Sequence, residues 1–548
     1  MLSNMRRPSS MAKQKPDQET AFVDVEAWIW LSLPAANVLA LFLGHTSLSP
    51  ESQLYLVPSS CLCLSQCVIC QMRSAELSSA HGNLMAMALI PSLAHSIAII
   101  HVWNSSVDED AFRWICYALW ATLSSGPWMW LEEPVPSRRH GFMMLYFLLA
   151  VVVFVLYPLW NEGTALPATR EMLAWILLHT VASRQYFFFV NPSPSPGQTK
   201  KSSLAPPTCT WGEYQTLVFL ITIGILEFQA TLLKPGRVDD DNDGISIYYS
   251  LVSQAGVMGC LGCVIFSALS ARRTSLISQL FLQVIGPLFA VEFSLRFCSR
   301  YNPPWSDGPY CLQWLLEFLL ATESSSAQSW PRYWGVLYWI VCLVVLGVPT
   351  WWIVRQHQSV VITRKWFHLV AIVLFGPTTL FFPQLMALAY AVALCVLLVI
   401  EAVRQSSPLL KEFYQLVHDP TKDNTDGIIL SHICLILGCA MPQWLSNVIP
   451  LGPLLQHWGV LCLGVGDAMG AVIGKLHGRT KWGRNNRTIE GSLGMWISML
   501  IVGILMADQW RPLIVSTTLV SLLEAFTLQM DNLVLPLAGC VWILLLSA

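Results

Sequence analysis

One aspartate in the last third of the chain does not fit its apolar surroundings. Asp467 lies in the run Leu463-Gly-Val-Gly-Asp-Ala-Met-Gly-Ala-Val-Ile-Gly474. An acid at membrane depth is costly and usually marks a functional site. Gly466, Gly470 and Gly474 are spaced four apart, which suits close helix packing and also close approach of a ligand to the backbone. Packing explains the glycines but not the aspartate, so we interpret Asp467 as a functional residue.

A basic segment follows this run directly. Its five cations are Lys475, Arg479, Lys481, Arg484 and Arg487. Glycines and threonines lie between them, and this composition suits a polyphosphate, because the cations neutralise charge and glycine lets backbone N–H groups approach the oxygens. A membrane anchor on the cytosolic side would need only the charges. The order Arg487-Thr-Ile-Glu490-Gly491, immediately before a new apolar run, favours a binding role.

The basic segment is not a Walker A loop, in which Gly, four residues and Gly-Lys-Ser/Thr follow one another. Gly470 and Gly474 are separated by three residues, and Leu476 follows Lys475. A kinase built on this sequence would therefore bind its nucleotide in another way.

A third group of polar residues begins the apolar run near residue 366. Arg364 and Lys365 precede the run, and His368 lies one turn further on the same predicted helix face. Snorkelling anchors would explain the two cations equally well. Other polar residues near predicted span ends can be structural when each is taken singly: Glu401, Arg404, Asp426, His432, Glu524, Asp531 and Asn532. Glu524 and Asp531 flank one span end and could hold a metal ion or a hydroxyl group.

The composition indicates which elements must position these residues. Of 548 residues, 54% are hydrophobic and 12% are charged, and a soluble protein usually carries about twice that charged fraction. The apolar residues come in runs of about 20, which is the length of helix that crosses a bilayer. We therefore predict an all-α, polytopic membrane protein with about 15–18 transmembrane helices. The cations form no extended stripe, which argues against nucleic acid as a partner.

The predicted spans are separated by short polar loops. They lie near residues 27–44, 54–71, 83–103, 112–131, 141–160, 172–190, 212–233, 247–269, 278–297, 333–354, 366–382, 385–403, 428–445, 458–474, 492–507, 512–527 and 533–548, and a shorter run, Tyr310–Ala321, is predicted to lie in the membrane interface. The basic segment should be cytosolic by the positive-inside rule. Counting spans places loop 404–427 on the same side, and loop 446–457, which has no Lys, Arg, Asp or Glu, on the other.

Taken together, these residues resemble the dolichol kinases of the endoplasmic reticulum. The matching segments are Arg364-Lys-Trp-Phe-His368, Ile428–His432, Gly464–Asp467, Thr488–Gly491 and Ser521–Asn532. Their spacing resembles the family throughout residues 360–548. The resemblance predicts a CTP-dependent lipid kinase core at residues 356–548, preceded by a multi-span region, residues 1–355, of unassigned role.

The resemblance implies transfer of phosphate from CTP to the terminal hydroxyl of dolichol, which makes the dolichyl phosphate used in protein glycosylation. It implies a multi-pass protein of the endoplasmic reticulum membrane whose active site faces the cytosol, with dolichol, CTP and membrane lipids as partners. A divalent cation, Mg²⁺, should bridge the CTP phosphates. Asp467 would be a metal ligand or the base that accepts the hydroxyl proton, and Arg364 and Lys365 would be catalytic.

The resemblance also implies a CTP site, which extends from the glycines of the Asp467 run into the basic segment. Its residues would be Gly466, Gly470, Gly474, Lys475, Lys481, Arg484, Arg487, Thr488, Glu490 and Gly491. Further candidates for the active site are His368, His432, Glu524, Asp531 and Asn532.

Other functions stay open. CTP-dependent phytol and diacylglycerol kinases are expected to share the basic pair and the glycine-flanked aspartate, and phosphatidate cytidylyltransferases resemble the Thr-x-Glu-Gly element. A transporter would be a different class, since transporters also place an acid in a broken, glycine-rich helix. Transporters usually show inverted repeats, and none is visible in this sequence.

Overall fold

Most of the residues that the protein's computed structural model describes are helical. The described residues are 17–43, 56–57, 59–68, 80–104, 114, 117–118, 121–122, 210–233, 244–270, 276–301, 310–322, 330–355, 360–404, 407, 429–449, 451–482, 487–507, 509–527 and 529–547. Within these ranges the contacts of β type are two isolated bridges, Thr322–Pro331 and Lys481–Thr488. The predicted all-α fold is confirmed.

Along the chain, the described helices include six before residue 330 and nine after it. Those described before it are α1 (Asp17–Leu43), α2 (Ala80–Asn104), α3 (Trp211–Leu233), α4 (Gly244–Ser270), α5 (Leu276–Tyr301) and α6 (Cys311–Leu320). Those after it are α7 (Tyr333–Arg355), α8 (Val360–Phe381), α9 (Pro383–Arg404), α10 (Ser431–Val448), α11 (Pro453–Gly459), α12 (Asp467–His477), α13 (Ile489–Ile504), α14 (Trp510–Phe526) and α15 (Asp531–Ser547). A π-helical segment, Val460–Gly466, joins α11 to α12.

The helices have the length and composition of a polytopic membrane protein, as predicted. Within the described part of the chain, four stretches are long and apolar enough to cross a bilayer: Val25–Leu43, Tyr333–Ile353, Pro383–Arg404 and Pro453–His477. Shorter apolar helices accompany them, including α13 and α15. The helices from residue 211 onward coincide with the predicted spans to within a few residues. The predicted spans 141–160 and 172–190 lie outside the described residues.

Helix α8, which carries His368, is held against α7 by two side chains at a proline. Pro377 has no N–H, so the carbonyl of Val373 loses its partner within the helix. The hydroxyl of Tyr338 donates to this carbonyl, and Trp339 Nε1 donates to the carbonyl of Leu374 at 3.0 Å. Aromatic side chains of α7 therefore satisfy backbone groups in the middle of α8.

The π-helical segment packs against the other side of α8. A Cβ built on Gly464 would lie 2.8 Å from Cγ1 of Ile372, so the absence of a side chain allows this close approach. Short π-helical stretches inside α-helices are rare and are frequent at functional sites. Asp467 is the first residue after this segment. The local geometry thus brings Asp467 beside the helix that carries His368.

Candidate functional site

The carboxylate of Asp467 is paired with a histidine of the neighbouring helix. His368 Nε2 lies 2.9 Å from Asp467 Oδ2, and the side chains are 4% and 16% exposed, respectively. The sequence pointed to His368 through its position one turn after Arg364 and Lys365 and through the resemblance of this segment to the family. The structure shows that its imidazole contacts the carboxylate of Asp467, the residue that the sequence identifies as functional. A buried contact of this kind fixes the orientation of the carboxylate.

The basic segment forms a short hairpin at the end of α12, and we call residues 478–490 the basic hairpin. Lys481 and Thr488 form an antiparallel bridge, and the N–H of Trp482 donates to the carbonyl of Arg487 at 3.0 Å. The predicted CTP ligand Arg484 is among residues 483–486, which lie outside the described residues. The bridge sets the two arms of the hairpin side by side.

Trp482 fastens the basic hairpin to the helix bundle. Its Nε1 donates to Oγ of Ser492 at 3.0 Å, and its ring meets the ring of Phe526 edge-on with 5.1 Å between centroids. The side chains of Lys475 and Lys481 stay exposed. The hairpin therefore turns its indole towards the apolar core and the side chain of Lys481 towards the surroundings.

The Thr-Ile-Glu-Gly element starts α13 and closes the base of the hairpin. Thr488 is the N-cap of α13, and its Oγ1 accepts the N–H of Gly491 at 3.1 Å. The two carboxylate oxygens of Glu490 accept the N–H of Thr480 at 3.0 and 3.2 Å. These bonds hold the base of the hairpin at the start of α13. Thr488 supplies the hydroxyl that caps the helix, and Glu490 supplies the carboxylate that binds the other arm.

The glycines around Asp467 lie in close helix–helix contacts. A Cβ on Gly491 would lie 2.9 Å from the carbonyl oxygen of Gly470 and 3.2 Å from Cα of Gly474. A Cβ on Gly466 would lie 2.8 Å from Sδ of Met499, which is also on α13. Helix packing therefore accounts for these glycines, and their predicted contact with CTP stays a prediction. The packing brings the Asp467 helix against the Thr-Ile-Glu-Gly element.

Arg487 joins the basic hairpin to the ends of two further helices. Its Nε lies 3.2 Å from Oε1 of Glu524 on α14, and its Nη2 lies 3.5 Å from Oδ2 of Asp531 on α15. All three side chains are less than a quarter exposed. The structure thus places Arg487 on the two carboxylates that the sequence analysis had located together at one span end as possible ligands for a metal ion or a hydroxyl group. The two carboxylates fix the plane of the guanidinium, which is a rigid fork of donors.

Two further predicted residues, His432 and Asn532, lie where the start of α10 meets the start of α15. The side chain of Asn532 donates to the carbonyl of Ser431 at 3.5 Å, and His432 follows Ser431 at the start of α10. Arg364 and Lys365 lie on α8 one turn before His368, but their side chains are outside what the structure describes.

Glu401 and Arg404 form a buried ion pair at the end of α9. Arg404 donates to both oxygens of Glu401 at 2.8 and 2.7 Å, and the N–H of Ile429 donates to Glu401 at 3.0 Å. This arrangement joins the end of α9 to the chain that enters α10. Asp426 lies outside the described residues.

One residue in this region escaped the sequence reasoning. Glu213, near the start of α3, accepts a hydrogen bond from the N–H of Met530, immediately before Asp531. Its own oxygen also accepts the N–H of Thr210 at 2.7 Å. The pattern Thr210-Trp-Gly-Glu213 before an apolar run is a capping-box signature, which could have located the helix start but not the contact with Met530.

The donor set fits a metal ion that is shared with a nucleotide. Among the described residues, no group of three or more His, Cys, Asp and Glu side chains could hold a metal ion alone. Mg²⁺ is usually bound through one or two carboxylates together with substrate phosphates and waters. The single carboxylate of Asp467 fits that arrangement.

Comparisons with known proteins find similarity to dolichol kinases. A family model described as dolichol kinase matches residues 204–433. This chain is similar to dolichol kinases. The dolichol kinase of Homo sapiens is 34% identical over 251 residues, which are 41% of this chain and 46% of that protein. The dolichol kinase of Mus musculus is 29% identical over 347 residues, 58% of this chain and 62% of that protein.

A plant relative gives the same result. The dolichol kinase EVAN of Arabidopsis thaliana is 29% identical over 278 residues, 48% of this chain and 46% of that protein. The chain thus spans about half of the length of the curated relatives that it matches. No solved structure matches. The family match covers residues on both sides of the predicted boundary at 355/356, and that boundary stays a prediction.

Proposed function

We propose that this protein is a CTP-dependent dolichol kinase, which transfers the terminal phosphate of CTP to the hydroxyl group of dolichol. The observation that carries the proposal is the contact between His368 and Asp467, because Asp467 begins the helix that leads directly into the basic hairpin. The oriented carboxylate of Asp467 would accept the proton of the lipid hydroxyl or bind the metal ion, and the cations would bind the triphosphate. The similarity to dolichol kinases supports the choice of dolichol as the lipid.

The position of Asp467 suits a reaction between a membrane lipid and a water-soluble nucleotide. Asp467 lies eight residues before Lys475, which is about 12 Å along a helix. The outer face of α12 exposes Met469, Val472 and Leu476, so lipid can lie along this helix. Dolichol is too apolar to leave the membrane, and its hydroxyl would meet CTP where α12 enters the basic hairpin.

The residues of this chain would share the work of phosphoryl transfer, which depends on positioning and on charge neutralisation more than on covalent chemistry. His368 orients the carboxylate of Asp467, which either accepts the proton of the lipid hydroxyl or holds the divalent cation. When bound, Mg²⁺ would neutralise phosphate charge. Lys475 at the end of α12 would hold the triphosphate together with Lys481, Arg484 and Arg487 of the basic segment. Arg364 and Lys365 would close the site from α8.

The proposed orientation, with the active site facing the cytosol from the endoplasmic reticulum membrane, is supported by contacts between helix ends. Bonds between Asn532 and Ser431 and between Arg487 and Glu524 join ends that are predicted to be cytosolic. Gln443 donates to the carbonyl of Pro383, which joins two ends predicted to lie on the opposite side. The alternation of sides along the chain is therefore consistent with the packing.

The proposal is tested by supplying purified protein with CTP labelled on either the γ- or the α-phosphate. Dolichol, phytol, diacylglycerol and phosphatidate are offered as separate acceptors, and Asp467→Asn is the inactive control. Transfer of γ-label to dolichol, in preference to the other alcohols, is the expected result. Transfer of α-label to a lipid would indicate a cytidylyltransferase. Absence of any labelled lipid would overturn the proposal and favour a transporter.

A further inference from the structure

We propose that Glu213 is a positioning residue for the nucleotide site, because it holds the residue directly before Asp531 and so, through Asp531, Arg487. The inference rests on the proposed function, in which Arg487 contacts the CTP phosphates. It also assigns a role to α3, which belongs to the region of the chain that the sequence left without one.

Glu213 and Thr210 cap the start of α3. Glu213 Oε2 accepts the N–H of Thr210 at 2.7 Å, and Thr210 Oγ1 accepts the N–H of Glu213 at 3.3 Å. This reciprocal pair is a capping box, which satisfies two N–H groups that the helix itself cannot. The box uses one carboxylate oxygen of Glu213 and fixes the direction of its side chain.

Glu213 and Thr210 also contact the chain between α14 and α15. The other oxygen of Glu213 accepts the N–H of Met530, and Thr210 Oγ1 donates to Oε1 of Gln529 at 2.6 Å. Glu213 is 4% exposed and Gln529 is 7% exposed, so water competes little for these bonds. Two residues of one capping box thus bind two consecutive residues of the chain between α14 and α15. A cap that served α3 alone would need neither contact.

Asp531 connects the residues that Glu213 and Thr210 contact to Arg487. Asp531 follows Met530 directly, and its Oδ2 lies 3.5 Å from Nη2 of Arg487. Glu524, at the other end of the same short connection, holds Nε of Arg487 at 3.2 Å. The position of the guanidinium therefore depends on where Gln529 and Met530 lie directly before Asp531, and the contacts of Thr210 and Glu213 fix these two residues. Reacting groups tolerate little error, since a misplacement of about 1 Å can cost 10²-fold in rate.

Glu213→Gln tests the link with little change of volume. A glutamine has one acceptor oxygen, so it can keep the cap or the bond to Met530 but not both. We expect the KM for CTP to rise, or turnover to fall, by about tenfold to 100-fold. The KM for dolichol should stay unchanged, because Glu213 acts through the phosphate-binding cation. Thr222→Val is the matched control, since Thr222 is buried on the same helix and its hydroxyl donates to the carbonyl of Val218.

A double-mutant comparison separates positioning from general stability. In an Arg487→Ala background, Glu213→Gln should have little further effect on the KM for CTP, whereas independent effects would multiply. Equal kinetics for Glu213→Gln and Thr222→Val, or a change in the KM for dolichol alone, would overturn the inference. Inactivity of the wild-type protein with CTP would instead overturn the proposed function.

A chemical arm does not depend on activity. Cysteines placed by Thr210→Cys and Gln529→Cys should be joined by a short bifunctional thiol reagent in the membrane-embedded protein. Failure to cross-link, with both thiols shown to react singly, would remove the contact on which the inference stands, even if a Glu213 variant proved difficult to fold.

Discussion

The pairing of His368 with Asp467 can be tested through the chemistry of the histidine side chain. In His368→Ala the contact to Asp467 Oδ2 is lost and a cavity remains. In His368→Gln a side-chain N–H can take the place of the imidazole Nε2, which lies 2.9 Å from the carboxylate in the native protein. If the histidine orients the carboxylate, glutamine should recover a large part of what alanine loses.

The magnitude follows from the environment of the pair. Leaving a buried polar group without its partner costs about 1–3 kcal/mol, and more for a charged group, and each 1.4 kcal/mol corresponds to about tenfold. Because the two side chains are 4% and 16% exposed, water cannot readily replace the lost partner. We therefore expect turnover to fall by about 10- to 100-fold in His368→Ala and by clearly less in His368→Gln. Asp467→Asn removes the charge itself and should abolish turnover.

The assay is transfer of γ-labelled phosphate from CTP to dolichol in vesicles, with the KM for each substrate measured separately. Size-exclusion profiles and thermal unfolding in detergent show whether each variant is folded. The double variant His368→Ala with Asp467→Asn should be no worse than Asp467→Asn, because the histidine acts through the aspartate. Near-normal turnover in His368→Ala or Asp467→Asn would refute the reasoning.

Three further predictions concern the basic hairpin and the helix contact behind it. Asn486-Arg-Thr488 has the sequence of an N-glycosylation site, and it should remain unglycosylated because the hairpin is predicted to face the cytosol. Glycan on Asn486, detected by a mass shift after glycosidase treatment, would place the hairpin in the lumen. Lys481→Ala should raise the KM for CTP about tenfold, equal to about 1.4 kcal/mol, and leave the KM for dolichol unchanged; the reverse pattern would make the hairpin a lipid gate. Gly491→Ala should cost about 1–3 kcal/mol through overpacking against Gly470 and lower the Tm, whereas Gly347→Ala, which meets nothing within 4 Å, should not.

The sequence predicts the helices well because each had to be apolar over nearly its whole length. The run at 458–474 shows what this signal contains and what it lacks. It identifies a span, but the π-helical geometry of Val460–Gly466 leaves no mark on hydropathy. The glycines there are compatible with an ordinary α-helix, so the local change that precedes Asp467 could be found only from the fold.

The candidate site was partly predictable for a similar reason. Asp467 stands out because a charge in an apolar run needs a reason. His368 and Glu213 do not stand out, since each lies near the polar end of its helix, where charged and polar residues are ordinary. Their roles come from partners 99 and 317 residues away in the sequence, respectively. Such distances are set by tertiary packing, which a single sequence does not contain.

The site is shared between two parts of the chain. The family match ends at residue 433, but Asp467, Arg487 and Asp531 all follow it. Each is joined to the matched part by a described contact: Asp467 directly through His368, and Asp531, with Arg487, through the loop that Glu213 holds. Residues 204–433 would therefore supply the supports, and the residues after them the groups that face CTP. A catalytic unit that began at residue 356 would retain His368 but lose Glu213, so the N-terminal side of the chain would contribute to nucleotide binding through α3.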